Sequence, residues 1–422
     1  MRISSITKNA GKACNNRLYR HIRTFEKIVK NYFVIYIKIN EKFSMEYGDF
    51  ILRETAACIS SCMSEKQRVY KLMADEFLIL DVSSDDTKEA GKLFIKIRES
   101  IDQFVEENDF EVMYTISGGS LALHSSENIE YSKVMKLTDF SLNEAKKRGR
   151  NRCYIFDEKD YGRFIRKGEI TQELREATRN GFQGFVAFYQ PVIEAKSGRL
   201  SGAESLMRFS SSKFGMVSPV EFIPILEETG LIIPVGRWMM KEAMEKCSQI
   251  RKVIPGFKVN INISQVQVSK SDVIIDIADE MEKAGLSPEA MNIELTESDL
   301  LEGDINTQHF LKELKRMGIK LALDDFGTGY SNFHYLSELD PEIIKIDRSF
   351  TSSAVADEKE YYLLKQFCRM IHNLGLKICI EGVENQEEWA KIQKLEPDFG
   401  QGFFWGRPCG YDEFVRQFIE KK

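Results

Sequence analysis

Residues 320–325 have the sequence KLALDD, in which a short apolar run leads directly to two aspartates. Residues 258–262, KVNIN, repeat this arrangement with an asparagine at the end. Each stretch is followed by a loop and a helix-like segment, and this alternation predicts a TIM-like (β/α)8 barrel of parallel strands. Because the carboxyl ends of such strands converge on one face, residues far apart in the sequence would share one pocket there.

Polar residues stand at the ends of the apolar stretches throughout the C-terminal half. They are Glu204, Asn262, Glu294, Asp324, Asp325, Lys345, Glu381 and Gln401. Most are carboxylates, which would repel one another in one pocket unless cations joined them, and hard divalent ions such as Mg²⁺ prefer oxygen ligands. The sequence therefore predicts a metal site at the barrel rim, although a surface ion pair is the ordinary alternative for any one of these residues alone.

Length and charge set limits on the function. The 422 residues are enough for two domains, each with its own core. No apolar run approaches the roughly 20 residues that cross a bilayer, and residues 1–30 lack the apolar stretch of a secretory signal. We therefore expect a cytoplasmic protein without membrane association. No basic track with interleaved aromatic residues is found, so nucleic acid is not expected as a partner.

Residues 203–209, AESLMRF, resemble the signature of the EAL-type cyclic-di-GMP phosphodiesterases, with Ser205 in the place of alanine. Further motifs of that family lie around this signature, in the order that the family has: QPV at 190–192, NIS at 262–264, ELTE at 294–297, DDFGTGYS at 324–331, KID at 345–347, EGVE at 381–384 and QG at 401–402. The resemblance implies hydrolysis of cyclic-di-GMP to linear pGpG, with two Mg²⁺ or Mn²⁺ ions as cofactors and a homodimer as the assembly.

The resemblance also implies a role for each site residue. Glu204, Asn262, Glu294 and Asp324 would bind the first ion, and Asp324 would share a second ion with Asp325. Glu381 would orient water ligands. Lys345 would orient or deprotonate the attacking water, and two adjacent cations should lower its pKa. The implied catalytic residues are Lys345, Glu381 and Glu204.

Other residues of the motifs are implied in substrate binding and in regulation. Gln190, Arg208 and Gln401 would contact substrate, although Arg208 could instead pair with Glu204 or Glu221. Glu297 would anchor the loop that begins at Asp325, and the position of this loop would control binding of the second ion. A passive turn at residues 325–331 is the alternative.

The first half of the chain resembles a GGDEF domain, the diguanylate cyclase fold. Its apolar runs alternate with helical stretches, which predicts a smaller α+β sheet domain. Residues 74–77, ADEF, and 145–151, AKKRGRN, fall where landmarks of that family fall. The family's paired glycines are replaced by Met73 and Ala74, and a metal-binding aspartate is replaced by Lys38 or Asn40. These departures predict a domain without cyclase activity.

Two questions stay open at the level of sequence. The first domain could still bind GTP or another nucleotide, with Lys38 in the role of the missing cation, or it could be a scaffold that binds none. The barrel could be a phosphodiesterase or a catalytically weak or inactive cyclic-di-GMP receptor, since Ile380 adds bulk beside Glu381. The predicted limits are 1–157 for the first domain, 158–180 for a connecting helix and 181–422 for the barrel.

Overall fold

The computed structural model describes residues 29–38, 45–73, 75–84, 86–108, 115–123, 130–297, 305–327 and 341–420, with the side chains of 38, 45, 46 and 73 excepted. The chain divides into two compact units, residues 1–166 and 167–422. A helix, α4 (Glu158–Arg179), contains the limit between them. The domain limits stated above stay predictions. No helix within the described ranges combines the length and the apolarity needed to cross a membrane.

The first unit is built on a five-stranded sheet with the order β2-β3-β1-β4-β5, antiparallel except for the parallel β4–β5 pair. Its strands are β1 (Asn31–Lys38), β2 (Gln67–Met73), β3 (Glu76–Asp81), β4 (Thr115–Ala122) and β5 (Cys153–Ile155). Its other described helices are α1 (Met45–Ser61), α2 (Thr87–Glu107) and α3 (Tyr131–Lys147).

Alternation along β1 gives this sheet two apolar faces. Phe33 and Ile35 pack in a core with residues of α1 and α2, whereas Tyr32 and Val34 pack in a second core with residues of α3. Helices therefore cover both faces of the sheet, which confirms the predicted smaller sheet domain.

The second unit is a closed barrel of eight strands in the order β6-β14-β13-β12-β11-β10-β9-β7, with β7 pairing back to β6. The strands are β6 (Phe185–Glu194), β7 (Leu200–Ser211), β9 (Lys258–Asn262), β10 (Met291–Thr296), β11 (Lys320–Phe326), β12 (Ile343–Ile346), β13 (Lys377–Ile380) and β14 (Phe399–Gln401). Two short strands, β8 (Gly215–Val217) and β15 (Cys409–Gly410), extend the sheet. The barrel predicted from the sequence is confirmed.

Helices separate most of the barrel strands, as the sequence predicted. They are α5 (Pro219–Thr229), α6 (Ile232–Arg251), α7 (Gln265–Lys270), α8 (Val273–Ala284), α9 (Ile305–Met317), α10 (Arg348–Ala356), α11 (Glu358–Asn373), α12 (Gln386–Ile392) and α13 (Tyr411–Phe414). The main core lies between these helices and the outward-facing residues of the strands, among them Ile261, Ile293 and Ile380.

One strand departs from a fully parallel barrel. β6 is antiparallel to both of its neighbours, β7 and β14. Only residues 195–199 join β6 to β7, and such a link is too short for the crossover of a dozen or more residues that parallel neighbours require. The reversal leaves the site intact because Gln190 pairs in register with Glu204.

Candidate active site and metal centre

Every barrel strand contributes one polar side chain near the same mouth of the barrel. These residues are Gln190, Glu204, Asn262, Glu294, Asp324, Lys345, Glu381 and Gln401, in the strand order β6, β7, β9, β10, β11, β12, β13 and β14, with Glu381 directly after β13. Six of the eight line one cavity of about 210 Å³, and the other two, Asn262 and Glu294, are bonded to its lining residues. The structure thus brings Gln190 to the same face as seven of the polar residues found at strand ends in the sequence.

Lys345 lies at the centre of the carboxylates. Its Nζ is 3.2 Å from Glu204 Oε2 and 3.0 Å from Glu294 Oε2. The same atom is 3.1 Å from Asp324 Oδ1 and 2.9 Å from Glu381 Oε1. The lysine side chain is only 1% exposed. One buried ammonium group therefore forms ion pairs with four carboxylates, which leaves an excess of negative charge in the site.

The carboxylates form two groups that could each hold a metal ion. In the first, oxygens of Glu204, Glu294 and Asp324 lie within 4.8 Å of one another. In the second, the same limit joins Asp324, Asp325 and Glu381. Asp324 belongs to both groups. An all-oxygen donor set with one shared carboxylate suits a pair of hard divalent ions.

Amide side chains hold Glu204 in place. Asn262 Nδ2 donates to Glu204 Oε1 at 2.9 Å, and Gln401 Nε2 donates to Glu204 Oε2 at 2.6 Å. Gln401 Nε2 also donates to Gln190 Oε1 at 3.1 Å. Gln401 Oε1 is buried and has no hydrogen-bond partner within the described part of the chain, so a bound ion, water or ligand would satisfy it.

The pKa shifts in the site reflect its excess of negative charge. Burial alone would lower the pKa of Lys345, but attraction to Asp324 and the other three carboxylates raises that pKa well above its ordinary value. Burial and repulsion from Glu204 raise the pKa of Glu294, against the attraction of Lys345. For Glu204, burial is outweighed by Lys345 and by the hydrogen bonds it accepts, which lower the pKa. The lowered pKa expected for Lys345 depends on adjacent cations and stays a prediction.

The Glu381 carboxyl, like that of Glu294, is repelled by neighbouring carboxylates of the site. Burial raises the pKa of this carboxyl, and repulsion from Asp324 adds to the effect against the attraction of Lys345. The residue that follows, Gly382, has φ +70°, and a Cβ there would lie 2.4 Å from the side chain of Arg348. Glycine is therefore required where the chain turns away from β13.

The loop after β11 begins with a distorted backbone. Asp325 has φ +52° at an irregularity in the β11–β12 pairing, and its N–H donates to Asp324 Oδ1 at 3.0 Å. The N–H of Gly327 donates to Glu297 Oε2 at 2.8 Å. Glu297 thus bonds the backbone two residues after Asp325. Residues 328–331 of the predicted switch lie outside the described residues.

The cavity has further lining residues that the sequence reasoning did not select. Arg348 and Glu384 form an ion pair of 2.7 Å, and Phe403, which is 40% exposed, lines the same cavity. All three lie in or next to motifs quoted above: Arg348 follows residues 345–347, Glu384 ends residues 381–384, and Phe403 follows residues 401–402. Their position close to the predicted strand ends is the feature of the sequence that could have identified them as site residues.

Arg208 is placed differently from the other predicted substrate contacts. It lies on β7, on the same strand face as Glu204. However, it forms no ion pair with Glu204, Glu221 or any other carboxylate among the described residues, and it is absent from the cavity lining. Its guanidinium donates to the backbone oxygen of Met207 and lies 5.6 Å from the ring of Phe188.

Two residues that departed from the family pattern do not disturb the site. Ser205 is buried and its hydroxyl donates to the backbone oxygen of Asn260 at 2.8 Å. Ile380 is fully buried in the core between the barrel and its helices, on the strand face opposite Cys379. The extra bulk of Ile380 therefore lies away from Glu381.

In the first unit, Lys146 is close to a tyrosine ring. Its Nζ lies 3.4 Å from the centroid of the Tyr36 ring on β1. Burial lowers the pKa of this lysine, against the attraction of Glu76 and Asp75. The side chains of Lys38 and Met73, and all of Asn40 and Ala74, lie outside the described residues, so the predictions made for them are not addressed by the structure.

Comparison with known proteins identifies both units. Residues 171–408 match the EAL domain family, and residues 32–152 match the family described as diguanylate cyclase, GGDEF domain. The first match covers more than half of the chain. The chain belongs to the EAL domain family and carries a GGDEF domain before its EAL domain.

Two relatives with named activities match most of this chain. The chain is 28% identical to the bifunctional diguanylate cyclase/cyclic di-GMP phosphodiesterase MucR of Pseudomonas aeruginosa, over 89% of this chain and 55% of that protein. It is 26% identical to the cyclic di-GMP phosphodiesterase PdeR of Escherichia coli, over 91% of this chain and 58% of that protein. The chain thus spans little more than half the length of these relatives.

A solved structure resembles the barrel unit. It is the PaMucR phosphodiesterase in complex with c-di-GMP, which is 29% identical, with a TM-score of 0.55 over 58% of this chain and 99% of that one. The likeness agrees with the closed barrel described above.

Proposed function

We propose that the EAL unit is a cyclic-di-GMP-specific phosphodiesterase that opens one ester of its substrate to give linear pGpG. The observation that carries this proposal is the pair of carboxylate groups that share Asp324. The names of the relatives and of the solved complex support the choice of substrate. A general nuclease has no comparable support.

Two Mg²⁺ or Mn²⁺ ions would supply a nucleophile at neutral pH and would neutralise charge on the phosphoryl oxygens. Residues of the first group, Glu204, Glu294 and Asp324, would hold one ion together with Asn262. Asp324 and Asp325 would hold the other. An oxygen of Glu381 lies within 4.8 Å of oxygens of both aspartates, and Glu381 would orient water ligands or bind the ion directly.

Lys345 is proposed to orient the attacking water or, in the neutral form that two adjacent ions would favour by lowering its pKa, to accept the proton of that water. The geometric support is that its ammonium bonds carboxylates of both groups, so a molecule held between the groups would lie close to it. Gln190 and Gln401 are proposed to contact substrate at the cavity wall, where they already bond each other. Arg208 is proposed to bind a phosphate oxygen pair, because a guanidinium fork suits such a pair and this guanidinium forms no ion pair with a carboxylate among the described residues, bonding instead the backbone oxygen of Met207.

The GGDEF unit is proposed to regulate the barrel and to have no cyclase activity. The support for this proposal is in the sequence, where Met73 and Ala74 replace the family's paired glycines and Lys38 or Asn40 replaces a metal-binding aspartate. Whether this unit binds GTP, whether the chain forms a homodimer, and whether it is cytoplasmic stay predictions from the sequence.

Incubation of the purified chain with cyclic-di-GMP and Mg²⁺ or Mn²⁺ tests the proposal. We expect a linear dinucleotide product, detected by chromatography, that disappears when EDTA removes the ions. Glu204→Ala should abolish the product because this residue belongs to the first carboxylate group. If cyclic-di-GMP binds but no product forms with either ion, the receptor alternative replaces the phosphodiesterase.

The contact between Glu297 and Gly327 leads to a separate prediction. Glu297→Ala removes the acceptor of the Gly327 N–H, so the backbone beside Asp325 loses one restraint. We expect the hydrolysis rate at subsaturating Mn²⁺ to fall about tenfold, in the range found for residues that orient metal ligands, and added Mn²⁺ to restore part of it. Glu297→Gln keeps an oxygen acceptor and is the matched control. An unchanged Mn²⁺ dependence in Glu297→Ala would refute the anchoring role.

A further inference from the structure

Two buried amides lie one step deeper in the barrel than the carboxylates. Asn260 and Asn292 precede Asn262 and Glu294 by two residues, so they face the same interior. The corresponding positions on five other strands are apolar and pack together: Val192, Ala322, Ile343, Cys379 and Phe399. Asn260 and Asn292 are only 7% and 3% exposed. Burying an amide is unfavourable unless it is hydrogen bonded, so their bonds indicate what they do.

The two amides lead by hydrogen bonds to one carboxylate. Asn260 Nδ2 donates to Glu294 Oε1 at 2.7 Å, and Asn292 Nδ2 donates to Asn260 Oδ1 at 2.9 Å. The strand register places Asn292 directly opposite Asn260. Because a carboxylate only accepts, Asn260 must turn its NH₂ group to Glu294 and its oxygen to Asn292. The directions of the two hydrogen bonds, from Asn292 to Asn260 and from Asn260 to Glu294, are therefore fixed.

Asn292, the amide farther from Glu294, lies next to a small cavity. Asn292 Oδ1 is buried and has no hydrogen-bond partner among the residues that the structure describes. A cavity of about 20 Å³ lies beside it, with Lys258, Glu342 and Lys345 among its lining residues. That volume suits about one water molecule, which could donate to Asn292 Oδ1.

We infer that Asn260 and Asn292 form an amide relay that sets the orientation of the Glu294 carboxylate. The relay holds Oε1, so that Oε2 faces Lys345, 3.0 Å away, and would be available to the first ion when that ion is bound. Asn260 and Asn292 are positioning residues and touch neither substrate nor ion. This inference rests on the proposed metal site, and it adds two residues that the motif comparison did not select.

The affinity of the 422-residue chain for Mn²⁺, measured by the EPR signal of free Mn²⁺, tests the relay without using activity. Asn260→Ala leaves Glu294 Oε1 without its donor, and we expect the Kd to rise about tenfold. Asn292→Ala keeps the bond to Glu294 but loosens Asn260, so its effect should be smaller. The double variant should bind no more weakly than Asn260→Ala alone, because both substitutions act through one path.

Ser205→Ala is the matched control. It removes the hydroxyl that bonds the backbone of Asn260 and leaves the side-chain relay complete, so its Mn²⁺ affinity should equal that of the unaltered chain. If Asn260→Ala fails to fold by circular dichroism, the comparison of Asn292→Ala with Ser205→Ala decides.

Three outcomes would overturn the relay: an unchanged Mn²⁺ affinity in a folded Asn260→Ala, an unchanged affinity in Asn292→Ala, or losses that multiply in the double variant. The last result would indicate two independent structural defects. An unaltered chain that binds no Mn²⁺ would overturn the proposed metal site and the relay together. That result is distinct from one in which the unaltered chain and both single variants bind equally well.

Discussion

Asp324→Asn is expected to lower the rate of cyclic-di-GMP hydrolysis on the order of 10³-fold or more, because Asp324 is the carboxylate common to both groups. Removing a single preorganised hydrogen-bond donor from an active site costs about 10²–10³ in rate, and this substitution would weaken the binding of two ions. An asparagine has nearly the same shape and retains one oxygen. The effect therefore reports the charge of Asp324 and its ligand strength, with little change in packing.

The measurement combines initial rates of pGpG formation with the number of Mn²⁺ ions bound. Asp325→Asn, which alters only the second group, should retain the first ion and lose less activity. Asp279→Asn is the control for a general change of charge, since that side chain is 48% exposed on α8. If Asp324→Asn kept activity within tenfold of the unaltered chain and still bound two ions, Asp324 would not bridge them.

Strand periodicity explains why the sequence predicted the gathering of these residues. A side chain faces the barrel interior at every second position, and the polar residue at each strand end interrupts an apolar run, as Asp324 does after Leu323. The eight strands converge on one mouth by geometry alone. The same reasoning held for Glu204, which is brought to the mouth by β7 even though its neighbour β6 is reversed.

Contacts between side chains on different strands could not be predicted in the same way. The four bonds of Lys345 depend on how the strands are staggered when the barrel closes, and no local pattern encodes that stagger. Arg208 shares a strand face with Glu204, but periodicity alone did not show that it would lie outside the cavity. Asn260 was visible in the segment KVNIN, yet its role became clear only from the register that sets it opposite Asn292.

Lys345→Met is expected to destabilise the barrel by about 3–5 kcal/mol when divalent ions are absent, the usual effect of removing one partner from a buried ion pair. Methionine has a similar length but no charge, so the four carboxylates around Nζ would have no internal counter-ion. Saturating Mn²⁺ should reduce this loss because ions held by the same carboxylates supply positive charge. Hydrolysis should remain abolished, since the ions cannot take over the proton transfer proposed for Lys345.

Urea unfolding in EDTA and in Mn²⁺, followed by tryptophan fluorescence, measures this difference. The three tryptophans of the chain, Trp238, Trp389 and Trp405, all lie in the barrel unit, so the signal reports that unit alone. Lys258→Met is the control, because Lys258 is a partly buried lysine at the other end of the strands. An equal loss of stability in EDTA and in Mn²⁺ would show that Lys345 and the ions do not neutralise the same carboxylates. In that case Lys345 would be a structural residue of the core, and the negative charge of the four carboxylates would be balanced without bound cations.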